Sequence, residues 1–381
     1  MPFNYQGNCP IESTYINPNL LGPKSLGGIL KKSYKVIVAI AAASLVTSVA
    51  VAPANAATKQ KVCIALDTGG INDKSFNQTS YAGATASKKK GWASTVEYLP
   101  AASSSEYGPN IKKFVDKKCT LIIGVGFAVA DAIIASAEAN PSVKYAIVDH
   151  DGLKNFSTKI PNVKGLTFNT NENSFLAGFL AAGYSKSNVV ATYGGAPYPT
   201  VTIFMDGFAK GVAYYNDIHG KSVKVLGWDP AKPSAGTMVG DFSSTNKALS
   251  ISQNFELQGA DVIFPVAGGL GGTTAENSKK TKKSLTIWVD ADAQKTAPQY
   301  NSVVPFSVLK GLSESVQSVI KDSYDGKFTN AAYVGTMANK GVGLSPIYKP
   351  WTTKIPAALQ KEAMQLQKDI AAGNILALYE E

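Results

Sequence analysis

Three aspartates stand where this chain could do chemistry. Asp67 closes the apolar run 62–66, Asp149 closes 145–148, and Asp290 closes 285–289. Each run reads as a buried strand, and ligands of open α/β sheets collect outside the carboxyl ends of the strands. Other predicted strand ends carry Gly126-Phe127, Gly194-Gly195, Trp228-Asp229 and Gly268-Gly269, and Phe76-Asn77 follow the Gly69-Gly70 turn after Asp67. Carboxylates accept from vicinal hydroxyls, aromatic faces suit the flat side of a base or sugar, and glycine turns let backbone approach a ligand. Two carboxylates across a cleft would also serve a glycosidase, so a secreted nucleoside or glycoside hydrolase is the competing reading. Each Asp taken alone has the plainer role of capping a βα turn.

What the sequence lacks narrows the field. His150 and His219, the only two histidines, have no supporting Ser-His-Asp pattern. The three cysteines, Cys9, Cys63 and Cys119, form no CxxC and no cluster with histidine, which argues against a structural zinc site. The glycine-rich stretch 268–272 has neither the Lys-Ser/Thr of a Walker loop nor the dinucleotide fingerprint. No cofactor, no metal and no catalytic residue are expected. The net charge is +10, yet all 37 basic residues are lysine. Arginine is the usual reader of phosphate and guanine, so the charge reads as a solvated lysine surface and no nucleic-acid partner is expected.

Stepping outward, the elements that would position these residues alternate strand and helix. Strands are predicted at 62–66, 95–99, 121–125, 145–148 and 163–168, with helices at 76–90, 106–117 and 128–139 between them; Ser75 is a candidate cap for the first. After a helix at 174–185 the rhythm restarts: strands at 189–193, 223–228, 261–265, 285–289 and 302–306, and helices at 201–216, 245–258 and 309–322. Short strands at 334–336 and 343–347 and a helix at 357–371 close the chain. Repeated βα units imply parallel sheets with helices on both faces, and 381 residues exceed what one core holds. Two doubly wound α/β lobes joined by several crossings follow, an architecture that closes about a hinge. Lobe one is expected at 57–168 plus about 307–335, and lobe two at 169–306 plus about 336–381. Residues 1–56 read as leader: Lys31, Lys32 and Lys35, the apolar stretch 36–52 and Ala54-Asn55-Ala56 form an export signal with cleavage expected after Ala56. Export would permit Cys63 and Cys119 to pair; two buried thiols are the alternative.

The stretch 67–78, DTGGINDKSFNQ, resembles the first motif of the basic membrane protein family of ABC-importer substrate-binding proteins. Further matches follow in order: 124–127, the Asp149 strand end, 171–178 (NENSFLAG), Gly207-Phe208 with Gly211, 259–264 with Gly268-Gly269, and 289–292. The resemblance covers about residues 60–375. It implies a fold like the type I periplasmic binding proteins, a monomer outside the cytoplasmic membrane, a purine-nucleoside ligand and ABC permease subunits as partners. Carried onto this sequence, it implies that Phe76 and Phe242 sandwich the base and that Asn77 and Asp149 bond its polar edge. Asp290 and Lys310 would hold the ribose hydroxyls near the backbone of Gly268, and Asp67 would bond the ligand or brace its loop. Ser243-Ser244 follow Phe242 where the family has a second Asp, and Phe204 is the alternative aromatic. A sensory module for a sugar-like molecule would share these features.

Overall fold

The computed structural model describes residues 57–374, so the expected leader and its cleavage position lie outside the described residues. Strand β1 (Gln60–Leu66) shows why the first sheet is buried on both sides. Val62, Ile64 and Leu66 belong to one apolar cluster, Cys63 and Ala65 to another, as the two-residue period of a strand requires. Helix α1 (Phe76–Lys89), β2 (Ala93–Leu99), α2 (Tyr107–Asp116), β3 (Leu121–Val125), α3 (Ala130–Ala139) and β4 (Lys144–Val148) continue the βα alternation. A small antiparallel hairpin, β5 (Leu153–Lys154) and β6 (Thr158–Lys159), precedes β7 (Val163–Phe168). These strands pair in parallel in the order β2-β1-β3-β4-β7, which reverses direction between β1 and β3. Cys63 and Cys119 are joined in a disulfide with Cα atoms 6.1 Å apart, tying β1 to the turn before β3.

The second lobe repeats the plan. Helix α4 (Thr170–Tyr184) leads to β8 (Val189–Gly194), α5 (Pro199–His219), β9 (Lys224–Leu226), α6 (Thr245–Leu257), β10 (Val262–Val266), α7 (Gly271–Thr281) and β11 (Leu285–Thr286). Their parallel sheet runs β9-β8-β10-β11, again reversing beside its first strand. Strand β12 (Trp288–Asp290) follows, then α8 (Ala293–Thr296) and β13 (Ser307–Lys310). The chain then returns: α9 (Leu312–Tyr324) lies against α1 and β1, and β14 (Tyr333–Gly335) pairs with β7 to complete the first sheet. Strand β15 (Val342–Leu344) joins β12 and β13 in a three-stranded sheet, and α10 (Trp351–Lys354) and α11 (Ala357–Ala371) end the described chain.

Among the described residues three crossings link the lobes, at 168–170, 310–312 and 335–341. They are knitted to one another by backbone bonds, Asn169 N to Gly335 O and Gly311 N to Gly341 O, both 2.8 Å. The first turn of α4 adds two side chains. Glu172 accepts from Asn169 Nδ2 and from Met337 N, and the buried Asn173 donates to Leu309 O at 2.7 Å and Gly343 O at 2.8 Å. Behind the hinge α4 and α5 pack almost backbone to backbone. A Cβ on Gly178 would strike Phe208 O, and one on Gly211 would strike Phe175 O. Much of the motif 171–178 and the glycines Gly207 and Gly211 are therefore hinge and helix-packing residues.

Several expected elements shift. Helix α4 starts four residues earlier than predicted because Asn173 satisfies backbone of other strands instead of forming a loop. Residues 302–306 are not a strand: Val303 and Val304 pack with Trp288, and the strand begins at Ser307. Lys310 therefore ends a strand and does not start a helix. The run 285–289 divides into β11 and β12, and α7 was not anticipated.

Candidate functional site

The two sheets present the carboxyl ends of their strands to a common cleft, at the points where each strand order reverses. Asp67 leaves β1 there. Its Oδ1 accepts from Gly69 N at 2.9 Å and Asn77 Nδ2 at 2.7 Å, which folds the loop back over the strand end. The helix that follows is capped by Asp73, whose carboxylate accepts from the amides of Ser75, Asn77 and Gln78 at 3.0, 2.7 and 3.1 Å. Ser75, the expected cap, has another task. Its fully buried hydroxyl lies 2.9 Å from both Val289 O and Asp290 Oδ2 of the other lobe, and donates its single proton between them.

Opposite this loop sits Lys310, at the end of β13 and the start of a hinge crossing. Its Nζ is 3.0 and 2.8 Å from the two carboxylate oxygens of Asp149 and 3.8 Å from Asp290 Oδ1. The ammonium also lies 5.2, 5.5 and 5.0 Å from the ring centres of Phe76, Phe168 and Phe204. Asp149 and Asp290 each take a left-handed backbone, with φ of 66° and 69°, so each strand turns sharply as its carboxylate reaches the lysine. One comes from each lobe.

All eight residues expected at the site line one cavity: Asp67, Phe76, Asn77, Asp149, Phe242, Gly268, Asp290 and Lys310. Phe204 lines it too, and so do Phe127, expected at a strand end without an assigned role, and Asp73 and Tyr198, which the sequence does not single out for the site. Pro199 at the first position of α5 is the signal that would have placed Tyr198 at the strand-to-helix turn.

Among the described residues the cavity wall holds four carboxylates and a single ammonium. Burial raises all four acids from their ordinary range, Asp73 and Asp149 to about 6, against the pull of three amides on the first and of Lys310 on the second. Asn77 is 1% exposed, and its Oδ1 has no partner among the described residues while its Nδ2 is engaged by Asp67. A buried acceptor without a partner, on a residue of the cavity wall, is a group that a ligand's N–H or O–H would satisfy. The arrangement suits a polar molecule with a flat ring and several donors.

Residues 60–372 match the family described as ABC transporter substrate-binding protein, PnrA-like. The chain belongs to that family. This PnrA-like protein is 31% identical over 307 residues to the ABC transporter nucleoside-binding protein BmpA of Lactococcus lactis subsp. cremoris, covering 75% of this chain and 82% of that protein. It is 29% identical over 325 residues to basic membrane protein A1 of Borrelia garinii subsp. bavariensis, covering 84% and 88%. A crystal structure of an ABC transporter solute-binding protein from Aeropyrum pernix K1 superposes with a TM-score of 0.68 at 22% identity, over 84% of this chain and 94% of that one. The fold is therefore that of the type I periplasmic binding proteins, and the PnrA-like protein is an ABC transporter substrate-binding protein. Among the described residues no helix is long and apolar enough to cross a membrane, and no group of His, Cys, Asp or Glu is arranged to hold a metal ion.

Proposed function

We propose that this PnrA-like protein is an exported receptor that closes its lobes on a nucleoside, purine preferred, and delivers it to the permease of an ABC importer. The observation that carries the reading is the cavity wall itself, where aromatic rings and carboxylates from both lobes stand with Asn77, whose buried Oδ1 is unpaired among the described residues. The base lies between Phe76 and Phe242, with Asn77 and Asp149 on its polar edge. Asp290, Lys310 and the backbone at Gly268 take the ribose, and Asp67 braces the loop. Lobe one is taken as residues 57–168 and about 312–335, and lobe two as 170–310 and about 341–374, with Ser307–Lys310 on the lobe-two side and not, as expected from about 307, in lobe one. One ammonium against four carboxylates disfavours a phosphate, so the ligand is the neutral nucleoside and not its nucleotide. The 31% identity to a protein named for nucleoside binding supports the same ligand class.

Titration calorimetry with adenosine, guanosine and inosine tests this. A Kd of about 1 μM or tighter, near −8 kcal/mol, is expected for at least one of them. Adenosine 5′-monophosphate is expected to bind more weakly than adenosine. Absence of heat with all three nucleosides would sink the ligand assignment.

A further inference from the structure

Four aromatic rings stand in a file that runs from the cavity to solvent. Phe242 and Tyr198 have centroids 6.3 Å apart and planes 25° apart; Tyr198 and Phe127 follow at 5.2 Å and 28°, and Phe127 and Phe156 at 6.1 Å and 19°. The file changes lobes once. Phe242 and Tyr198 belong to the second sheet's loops, Tyr198 as the residue before α5. Phe127 opens the turn after β3, and Phe156 tips the hairpin between β5 and β6. The outermost ring, Phe156, is 60% exposed, and Phe127 is flanked by the His150 ring at 5.5 Å. At the inner end Phe242 packs against Gly195, where any Cβ would overlap its ring.

The pair Phe127–Tyr198 is thus a ring contact between lobes, made in the wall of the ligand cavity. It exists only while the lobes are together, so its attraction stabilises the closed state and not the open one. Tyr198 also stacks on Phe242, the plate that the second lobe offers to the base. We propose that Phe127 and Tyr198 form an aromatic latch that holds the lobes closed over the bound ligand and slows its escape. The proposal rests on the reading of the cleft as a nucleoside site that closes about its hinge. Both rings also line the cavity, so their part in closure is read apart from ligand contact by small-angle scattering of the ligand-free protein, where Phe127→Ala is expected to have the larger radius of gyration.

Stopped-flow fluorescence with adenosine, guanosine and inosine as probes reads the rate constants. Phe127→Ala and Tyr198→Ala are each expected to raise koff at least threefold, the range one aromatic pair supplies, with kon changed less. Tyr198→Phe keeps the ring and is expected to keep the wild-type koff. The double alanine variant is expected to fall short of the product of the two single effects, because both remove the same contact. A koff for Phe127→Ala within threefold of wild type overturns the latch, whatever Tyr198→Ala does, since a Tyr198 that only props Phe242 needs no ring in lobe one. Both rings are partly exposed, so truncating them opens no core cavity. If none of the three nucleosides binds the wild type, the ligand assignment has failed. The latch is then read without ligand, by small-angle scattering: Phe127→Ala is expected to have a larger radius of gyration than wild type, and equal radii overturn it.

Discussion

Lys310 is held by what surrounds it: two left-handed aspartates, one from each lobe, and three aromatic rings. Replacing it strands the buried Asp149 without a counter-charge, which for buried pairs costs about 3–5 kcal/mol. Lys310→Ala should therefore lower the melting temperature more at pH 8 than at pH 5, where Asp149 can take a proton instead; equal losses at both pH values would contradict this. Proton uptake also separates stability from affinity. The folded pKa of Asp149 lies at about 6, above its ordinary 3.8, so on acidification the folded chain binds the proton before the unfolded chain does. The ligand-free protein should gain stability between pH 7 and pH 5 in a thermal melt. The proposed role of Asp149 at the base edge uses its ionised carboxylate, so on that reading nucleoside binding should weaken several-fold over the same interval in calorimetry. At the ring plates, Phe76→Ala should weaken binding at least tenfold, about 1.4 kcal/mol, and an unchanged Kd would place the base elsewhere. Asp67, Asp149 and Asp290 were legible as ends of apolar runs. The division of labour between Asp73 and Ser75 was not: both types cap helices, and only the fold shows that the serine hydroxyl is drawn off to the other lobe.

Elements of strong period were read almost to the residue, as with β3, β7 and α11. Misses fell where local pattern and tertiary demand diverge. Helix α7 opens Gly-Gly-Thr-Thr, residues that disfavour helix, and is held by its packing on α6 and β10. The run at 302–306 is apolar because it covers Trp288, so burial mimicked a strand. The α4–α5 contact could be guessed only as a set of glycines; the backbone approach explains them. Gly211→Ala would force those helices apart, and urea unfolding should show a loss of about 1–3 kcal/mol. A stability unchanged from wild type would mean the helices have slack that the glycine contacts do not suggest.

For the molecule as a whole, the repeated βα rhythm made two doubly wound lobes legible, and the disulfide was left open because strand separation cannot be read from spacing. The Cys63–Cys119 bridge closes a loop across 56 positions, for which chain entropy gives about 4 kcal/mol. Replacing both cysteines by serine should lower the urea midpoint of lobe one accordingly, and reductant should act on the native protein but not on the variant. The direct contacts of Ser75 with Asp290 and of Phe127 with Tyr198 join the lobes across the cleft in this structure. The sheet of lobe one also has a history built into its order. Five of its strands lie within residues 60–168, but the sixth, β14, arrives at Tyr333 after the entire second sheet has been laid down. A chain emerging amino end first must therefore wait with the β7 edge uncovered while roughly half of its length is still being made. During that interval the bare β7 edge is where a passing chaperone or a second unfinished chain would first take hold, and the Cys63–Cys119 bridge can clasp β1 only once the chain has reached an oxidising compartment.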